Sequence, residues 1–225
     1  MIPTVTQPTL PTTTGERWPV RRIFCVGRNY ADHAREMGHD PNAEPPFYFT
    51  KPADAAIASG ATIPYPPQTS DLHHEAELVV AIGTGGADIA EADALAHVWG
   101  YATGNDLTRR DLQAEAKTAR RPWDMAKGFD NSAVVGPIQP GPIQPGPIGE
   151  ASITCTVDGK VTQSARLSDM IWPVPAIIAH LSRLVTLQPG DLIFTGTPAG
   201  VGPIQRGQTC TVEIIGLPPA TITVL

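Results

Sequence analysis

The stretch from residue 71 to residue 83 constrains the fold more than any other part of the chain. It reads Asp-Leu-His-His-Glu-Ala-Glu-Leu-Val-Val-Ala-Ile-Gly, and residues 78–82 are apolar at every position. Such a run is typical of a β-strand covered on both faces. Side chains alternate along a strand, so Glu75 and Glu77 are expected to point the same way, one pleat apart.

Two carboxylates on one covered face need a counter-charge, because they repel each other and are costly to desolvate. A hard divalent cation held by oxygen ligands neutralises such a pair. The stretch around Glu75 and Glu77 is therefore interpreted as part of a metal site. The alternative is an edge strand with two solvent-exposed acids, which fits the unbroken apolar run poorly.

The composition favours one globular domain with many turns and short strands. The chain has 225 residues, enough for one sizeable core, and a hydrophobic fraction of 41%. Its 24 prolines and 21 glycines exceed the average usage of about 5% and 7%. A net charge of −6 gives no broad basic footprint for nucleic acid. No apolar run approaches the roughly 20 residues of a membrane span.

The predicted location is the cytoplasm. Residues 1–15 are rich in Thr and Pro and lack the basic start and apolar centre of a signal peptide. The three cysteines are odd in number and match no metal-binding spacing, so we expect reduced, buried thiols. Residues 1–17 are assigned to a loose Thr/Pro-rich arm, and residues 18–225 to one catalytic domain. Within that domain the five-residue repeat over 136–148 is predicted to be an exposed, stiff connector.

A candidate general base lies on the first predicted helix. A strand over residues 21–27 leads to a brief helix over residues 30–37, on which His33 and Glu36 share a face. The functional interpretation is a dyad in which the carboxylate orients the imidazole and raises its basicity. The alternative is a solvated helix with local charge pairing, and spacing alone does not choose between them. The helix and the turn-rich loop over 38–46 are predicted to form a mobile lid.

A second strand, which ends in Asp106, supplies a candidate third oxygen ligand. Asp106 either caps the helix predicted over residues 108–117, which is the commoner role for an aspartate there, or joins the acidic pair. On that helix Arg110 and Gln113 lie three residues apart and share a face. The loop beyond it leads to Lys127 and concentrates positive charge in one region.

The glycine-rich loop over residues 195–202 does not have the pattern of a nucleotide site. No Lys-Ser or Lys-Thr follows its glycines, as a phosphate-binding P-loop requires, and their spacing fails the dinucleotide fingerprint. Backbone N–H groups and the hydroxyls of Thr195 and Thr197 are suited to hold a substrate carboxylate. A plain turn is the alternative.

Five blocks of the sequence occur in the order found in a known family. They are residues 27–37, the Lys51-Pro52 pair, residues 73–78, residues 106–111, and Gly190-Asp191 together with residues 195–202. On these blocks the chain resembles the fumarylacetoacetate hydrolase family, and more narrowly its acylpyruvase and fumarylpyruvate hydrolase branch. The resemblance runs from residue 20 to the C-terminus. The chain departs from the family pattern in the repeat over 136–148 and at Asn105, where an apolar residue often stands.

The resemblance implies an α+β, predominantly β fold: a mixed β-roll of the family's C-terminal domain type, with a short lid helix, in a homodimer. It also implies a divalent cation, Mg, Mn or Ca. Carried over residue by residue, it assigns the metal to Glu75, Glu77 and Asp106, catalysis to His33, Glu36 and Lys127, and substrate binding to Arg110, Gln113 and Thr197.

The activity implied by the resemblance is metal-dependent hydrolysis of the C–C bond of a 3-acylpyruvate, with fumarylpyruvate favoured, to pyruvate and a carboxylic acid. Its setting would be gentisate-type degradation of aromatic compounds. Alternatives within the family are oxaloacetate decarboxylation and isomerisation of unsaturated dioxo acids. The alternative from another class is a catalytically silent, metal-binding β domain. The expected partner is a small dioxo acid, with no nucleic acid and no membrane.

Overall fold

The computed structural model describes residues 2–36, 45–142 and 148–225. Within these ranges the chain forms eighteen short strands and four α-helices, as its proline and glycine content predicts, and no helix there is long and apolar enough to span a membrane. Four short 3-10 helices cover Ala53–Ala55, Glu91–His97, Ile148–Glu150 and Leu167–Asp169. The elements are β1 Thr9–Pro11, β2 Arg17–Pro19, β3 Arg22–Gly27, α1 Ala31–Glu36, β4 Phe47–Lys51, β5 Ala56–Ala58, β6 Ala61–Ile63, β7 Leu72–His74, β8 Ala76–Ile82, β9 Val98–Asp106, β10 Thr108–Arg109, α2 Arg110–Thr118, α3 Asp124–Lys127, β11 Ala133–Val135, β12 Gln139–Pro140, β13 Ser152–Val157, β14 Lys160–Arg166, α4 Val174–Leu184, β15 Asp191–Phe194, β16 Gly202–Pro203, β17 Thr209–Ile214 and β18 Ala220–Val224.

The largest sheet is mixed and has the two acidic strands at its centre. Its strands lie in the order β4-β3-β15-β8-β9-β11-β5, and β12 also pairs with β9. β15 runs parallel to β3 and antiparallel to β8, while β8 and β9 are antiparallel. A five-stranded sheet has the order β14-β13-β17-β18-β6, and a three-stranded one the order β10-β7-β16. The predicted mixed, predominantly β fold is confirmed.

Strand β8 is buried on both faces, as its apolar run predicts. Leu78, Val80 and Ile82 pack into the larger hydrophobic cluster, to which the five-stranded sheet and α4 also contribute. Val79 and Ala81 belong to a smaller cluster on the opposite face. Each fully buried aliphatic side chain contributes about 1.5–3 kcal/mol. A slip of one residue would exchange the two faces, so this packing fixes the register of the strand.

The N-terminal arm packs on the smaller cluster from residue 9 onward. β1 pairs antiparallel with β2, and Leu10 is only 1% exposed. The ring centroids of Trp18 and Trp99 lie 4.7 Å apart. The prediction of a loose arm is therefore wrong from residue 9. A three-residue strand shows too little alternation to be recognised, and the residues that bury Leu10 are distant in the sequence.

The first part of the five-residue repeat also belongs to the core. Ile138 is fully buried, and β12 pairs with β9 through Gln139 and Pro140. Gly100 permits this pairing, because a Cβ atom at that position would lie 2.2 Å from the carbonyl oxygen of Gln139. The prediction of an exposed connector is wrong for this part of the repeat, and residues 143–147 lie outside the described residues.

Other elements fall close to their predicted positions. The short helix predicted over residues 30–37 is α1, Ala31–Glu36. The turn-rich loop predicted after it lies mostly outside the described residues, which resume at residue 45. The three cysteines are free and buried, as expected, and the Sγ atoms of Cys155 and Cys210 lie 3.4 Å apart between β13 and β17.

Candidate active site

Three buried carboxylates meet at the point where β8 begins and β9 ends. Glu77 lies in β8, Glu75 lies at the break between β7 and β8, and Asp106 is the last residue of β9. The antiparallel pairing of these strands sets Glu75 opposite Asp106, whose N–H donates to the carbonyl of Glu75 at 2.9 Å. Carboxylate oxygens from the three residues all lie within 4.8 Å of one another. The structure therefore brings the three predicted metal ligands together.

Asp106 does not cap the following helix. Thr108 and Arg109 form β10, which pairs with β7, and the N-cap position of α2 is Arg109. The side chain of Asp106 instead accepts a hydrogen bond from Nζ of Lys127 at 2.7 Å, and its Oδ1 lies 2.7 Å from Nζ of Lys51. The capping alternative is therefore wrong, because two residues of strand separate Asp106 from the helix.

Asn105, which departs from the family pattern, is buried and supports the triad. Its Oδ1 accepts a hydrogen bond of 3.0 Å from the N–H of Glu75, and its Nδ2 donates to Sγ of Cys210 at 3.3 Å. The amide therefore fixes the backbone at Glu75, in the position where the chain passes from β7 to β8.

Buried cations already compensate two of the three carboxylates. Nζ of Lys127 lies 2.8 Å from Oε2 of Glu75, and Nη2 of Arg110 lies 2.5 Å from Oε1 of Glu75. Burial favours the neutral form of Glu75, but the charges of Lys127 and Arg110 outweigh it and hold the pKa of this carboxyl well below its usual range. Burial likewise disfavours the charged form of Lys127, but Asp106 and Glu75 raise its pKa.

Glu77 is the carboxylate that lacks a counter-charge. It is 1% exposed, and its hydrogen bond within the described residues comes from the N–H of Gly196, at 2.7 Å from Oε2. No Lys, Arg or His in the described ranges lies within 4 Å of it. Burial, followed by the negative charges of Asp106 and Glu75, raises the pKa of Glu77 well above its ordinary value.

A divalent cation fits this donor set. An ion that Glu77 shares with Glu75 and Asp106 would supply the missing positive charge, and all three ligands offer oxygen, which Mg, Mn and Ca prefer. The protein can therefore hold its divalent metal ion at these carboxylates.

His33 and Glu36 form the predicted pair on α1. Nδ1 of His33 lies 3.3 Å from Oε2 of Glu36, and the imidazole is 5% exposed. Burial lowers the pKa of His33 below its ordinary value, although the charges of Glu75 and Glu36 act in the opposite direction. The imidazole is therefore neutral at pH 7, with Nε2 available as a base when Nδ1 donates to Glu36. The alternative of a solvated helix does not describe His33, which is buried.

Helix α2 presents Arg110 and Gln113 to the same cavity. Nη1 of Arg110 donates to Oε1 of Gln113 at 2.6 Å, and Gln113 is buried. Because Oε1 is engaged, the amide of Gln113 keeps its two N–H donors for another partner. The predicted face of the helix is thus observed, although α2 begins two residues later than expected.

Thr197 reaches the cavity from the glycine-rich loop, whereas Thr195 does not line it. The Oγ1 of Thr197 accepts from Gln163 at 2.8 Å, and the hydroxyl of Thr195 donates to the carbonyl of Leu78 at 3.0 Å. Gly196 has φ +97°, and a Cβ there would lie 2.6 Å from the Cβ of Asn29. The loop is thus more than a plain turn, because it delivers both Thr197 and the N–H that binds Glu77.

A cavity connects these groups. Seven of the nine predicted residues line it; Glu36 lies behind His33, and Asp106 lies beneath Lys127. The sequence analysis missed the remaining lining residues that bear charge or aromatic rings. A signal existed for one of them, because residue 117 lies two helical turns beyond Arg110. The missed residues are Arg28, Phe47, Phe49, Lys117 and Trp123.

The sequence of the whole domain matches one family model. The model described as fumarylacetoacetate (FAA) hydrolase C-terminal covers residues 22–225. The chain belongs to the fumarylacetoacetate hydrolase family. It is accordingly an enzyme, and its nine candidate site residues all lie within the part of the chain that matches this family.

Several members of the fumarylacetoacetate hydrolase family resemble this chain over most of their length. The crystal structure of fumarylpyruvate hydrolase from Pseudomonas aeruginosa in complex with Mn2+ and pyruvate has a TM-score of 0.93 and 46% identity, covering 100% of this chain and 98% of that one. The fumarylpyruvate hydrolase of Ralstonia sp is 43% identical over 82% of this chain and 95% of its own length. The mitochondrial oxaloacetate decarboxylase of Dictyostelium discoideum is 40% identical over 88% of this chain and 90% of its own.

Proposed function

We propose that this enzyme hydrolyses the C3–C4 bond of fumarylpyruvate, a 3-acylpyruvate, to pyruvate and fumarate. The observation that carries the proposal is the His33–Glu36 pair, because His33 lines the same cavity as Glu75 and Glu77 of the carboxylate triad. Water must be activated for hydrolysis, and a buried neutral imidazole held by a carboxylate is suited to that task. The resemblance to two fumarylpyruvate hydrolases supports the same substrate.

The metal site would lie at the pyruvate end of the substrate. A divalent cation held by Glu75, Glu77 and Asp106 would supply positive charge beside the 2-oxo and carboxylate oxygens, where negative charge develops when the bond breaks. Arg110 lies at the edge of this site, because its guanidinium contacts Glu75. It would orient the carboxylate of the substrate through its remaining N–H donors.

His33 would take a proton from the water that attacks C4. The hydroxyl oxygen forms the new bond to C4, and the electron pair of the C3–C4 bond moves to C3, giving the enolate of pyruvate. The proton that His33 took from water is returned to C3, which completes pyruvate, and C4 leaves as a carboxylic acid. Glu36 holds the imidazole through Nδ1, so Nε2 can accept the proton from water.

Lys127 and Gln113 would stabilise the oxyanion that forms at C4. The ammonium of Lys127 gives two of its three hydrogens to Glu75 and Asp106, which leaves one donor. The amide of Gln113 is held by Arg110 through its oxygen, so its N–H groups remain available. Such fixed donors are effective because they need no reorganisation during the reaction.

Oxaloacetate decarboxylation is the second candidate, because the Dictyostelium decarboxylase is nearly as similar as the Ralstonia hydrolase. Decarboxylation also produces pyruvate enolate, but it needs no attacking water. A dyad of His33 and Glu36 therefore favours hydrolysis. A cytoplasmic homodimer in gentisate-type aromatic degradation completes the proposal, and light scattering at several protein concentrations tests the dimer.

A substrate panel tests the function. The Mn-loaded enzyme would be incubated with fumarylpyruvate, acetylpyruvate and oxaloacetate, while loss of diketone absorbance and coupled pyruvate release are followed. We expect pyruvate from fumarylpyruvate, and a loss of about 100-fold or more in kcat for His33→Ala. His97→Ala, whose imidazole bonds only the carbonyl of Thr84 among the described residues, serves as the matched control.

Two results would contradict the proposed function. A wild-type enzyme that released pyruvate from oxaloacetate but from no acylpyruvate would be a decarboxylase. A protein that was stabilised by Mn but turned over none of the three compounds would be a silent metal-binding domain. If His33→Ala kept full hydrolytic activity, the dyad would have no role in the mechanism, whereas the assignment of the metal site would be unaffected.

A further inference from the structure

Lys117 is a charged side chain of the cavity that has no role in the steps above. Lys117 lies on the same face of α2 as Arg110 and Gln113, and all three line the cavity. The side chain of Lys117 is half-buried, and Nζ lies 5.3 Å from the ring centroid of Trp123. Within residues 2–36, 45–142 and 148–225, Lys117 makes neither an ion pair nor a hydrogen bond through Nζ.

The surroundings of Lys117 are themselves positive. Burial, and then the charges of Arg110 and Arg28, lower the pKa of Lys117 to about 8, against a weaker opposing effect of Glu75. Arg28 also lines the cavity, and its backbone has a φ of +56°, which is uncommon outside glycine. A half-desolvated ammonium among other cations is unfavourable unless an anion joins it. The charge pattern therefore indicates an anionic ligand at this end of the cavity.

The length of α2 separates this cation from the carboxylate triad. Lys117 is two helical turns beyond Arg110, or about 10 Å along the helix axis, and Arg110 contacts Glu75 of the triad. A carbon chain advances by about 1.3 Å per bond. The two carboxyl carbons of oxaloacetate are three bonds apart, about 4 Å, whereas those of fumarylpyruvate are six bonds apart, about 8 Å. The longer dicarboxylate comes closer to the spacing of Arg110 and Lys117 along the helix.

An aromatic wall lies between the two ends. The ring centroid of Trp123 is 5.5 Å from that of Phe47 and 5.8 Å from that of Phe49, and all three residues line the cavity. A flat, conjugated acyl chain packs well on aromatic faces. The wall therefore suits an unsaturated linker between the diketone and a second carboxylate.

We propose that Lys117 binds the distal carboxylate of the substrate, so that the cavity selects 3-acylpyruvates whose unsaturated acyl chain ends in a second carboxylate. This inference rests on the proposed function, to which it adds the residue that recognises the second carboxylate. Lys117 acts in specificity and not in bond cleavage. It leaves the triad, His33 and Lys127 to act on any 3-acylpyruvate.

The test compares Lys117→Met with Lys160→Met, whose side chain is exposed on the β13–β14 hairpin. A charge-assisted contact of this kind corresponds to a change of about 10- to 100-fold in kcat/KM. We expect Lys117→Met to lose that factor on fumarylpyruvate and to leave kcat/KM for acetylpyruvate within about twofold of wild type. Lys160→Met should match wild type on both substrates. Equal losses on both substrates, or no loss on fumarylpyruvate, would overturn the proposal.

A binding measurement makes the inference independent of turnover. Fumarate and pyruvate, the two products, would be titrated into Mg-loaded protein while tryptophan fluorescence is followed, because Trp123 lies beside Lys117. We expect fumarate to bind about tenfold more weakly to Lys117→Met than to wild type, and pyruvate to bind equally to both. Equal fumarate binding would refute the distal site. A wild type that hydrolyses no acylpyruvate would refute the proposed function instead, and the fumarate titration would still report on Lys117.

Discussion

At the scale of single residues, two charged side chains of the cavity have no oppositely charged partner among the described residues. Glu77 lacks a cation, and Lys117 lacks an anion. Glu77 is suited to a divalent ion, and Lys117 is suited to a carboxylate. Together they favour a ligand with an electron-rich diketone at one end and a negative group at the other.

The pKa of His33 provides a prediction at this scale. Burial holds the pKa of His33 below the usual value, and Glu36 raises it. The base form should therefore dominate at neutral pH, and kcat/KM should fall on acidification only below about pH 6.5. Glu36→Gln removes the raising effect, so the acid limb should move to lower pH and kcat should fall about tenfold, because the imidazole becomes less basic. A pH–rate profile of both enzymes checks this, and an unchanged limb in Glu36→Gln would contradict it.

The sequence predicted the acidic residues of the site better than its lysines. The ligands Glu75, Glu77 and Asp106 could be predicted, because strand alternation and the end of β9 place carboxylates on one side of the sheet. Lys51 and Lys127 are separated by 76 residues and meet at Asp106 only through the folded sheet. Lys117 and Trp123 are close in the sequence, and they come together because the turn after α2 brings the indole ring back over the helix.

At the scale of elements, regular periodicity was the main guide. The hairpin of β13 and β14 and the helix α4 were recognisable from the sequence, because a turn dipeptide and helical spacing are local signals. β1, β10 and β12 were not, because each has two or three residues and is held by partners far along the chain. Short elements are specified by tertiary contacts and not by their own pattern.

The packing of β1 leads to a stability prediction. Leu10 is 1% exposed in the smaller hydrophobic cluster, whereas Ile2 is 92% exposed. Leu10→Ala should therefore lower the free energy of unfolding by about 2–4 kcal/mol, and Ile2→Ala should change it by less than about 0.5 kcal/mol. Urea denaturation measures both. Equal, small effects would show that the arm is loose in solution.

At the scale of the whole molecule, the largest sheet joins segments that are remote in the sequence. β3 and β15 are parallel neighbours although about 170 residues separate them, as the contacts of Arg21 and Arg22 with Asp191 illustrate. No pattern within either strand predicts this pairing. The order of the strands, and hence the closing of the cavity by α1, the glycine-rich loop and α2 together, was available only from the resemblance to a known family.

Metal binding is expected to increase the stability of the whole fold. Because the pKa of Glu77 is higher in the folded than in the unfolded chain, its ionised carboxylate destabilises the metal-free protein at neutral pH. Glu77→Gln should therefore raise the Tm of the metal-free protein, by about 2–4 °C for each kcal/mol recovered. Mn at 100 times its Kd should stabilise wild type by about 2.7 kcal/mol and Glu77→Gln far less.

Thermal scans with chelator and with Mn measure this difference, and Glu213→Gln, on the exposed side of β17, is the matched control. If Glu77→Gln had a lower Tm than wild type in chelator, the unpaired charge of Glu77 would not destabilise the fold. If it kept the full Mn stabilisation, Glu77 would not be a ligand.

The cations that surround Glu75 and Asp106 also bear on how the enzyme can be handled in the laboratory. Lys51, Lys127 and Arg110 hold these two carboxylates in place within the chain itself. The metal ligands are therefore already in position when the chain has folded, and little reorganisation is needed when the metal binds. A chelator-stripped sample should consequently remain native and take up Mg, Mn or Ca on simple addition. One preparation would then allow these ions to be ranked side by side, without refolding between assays.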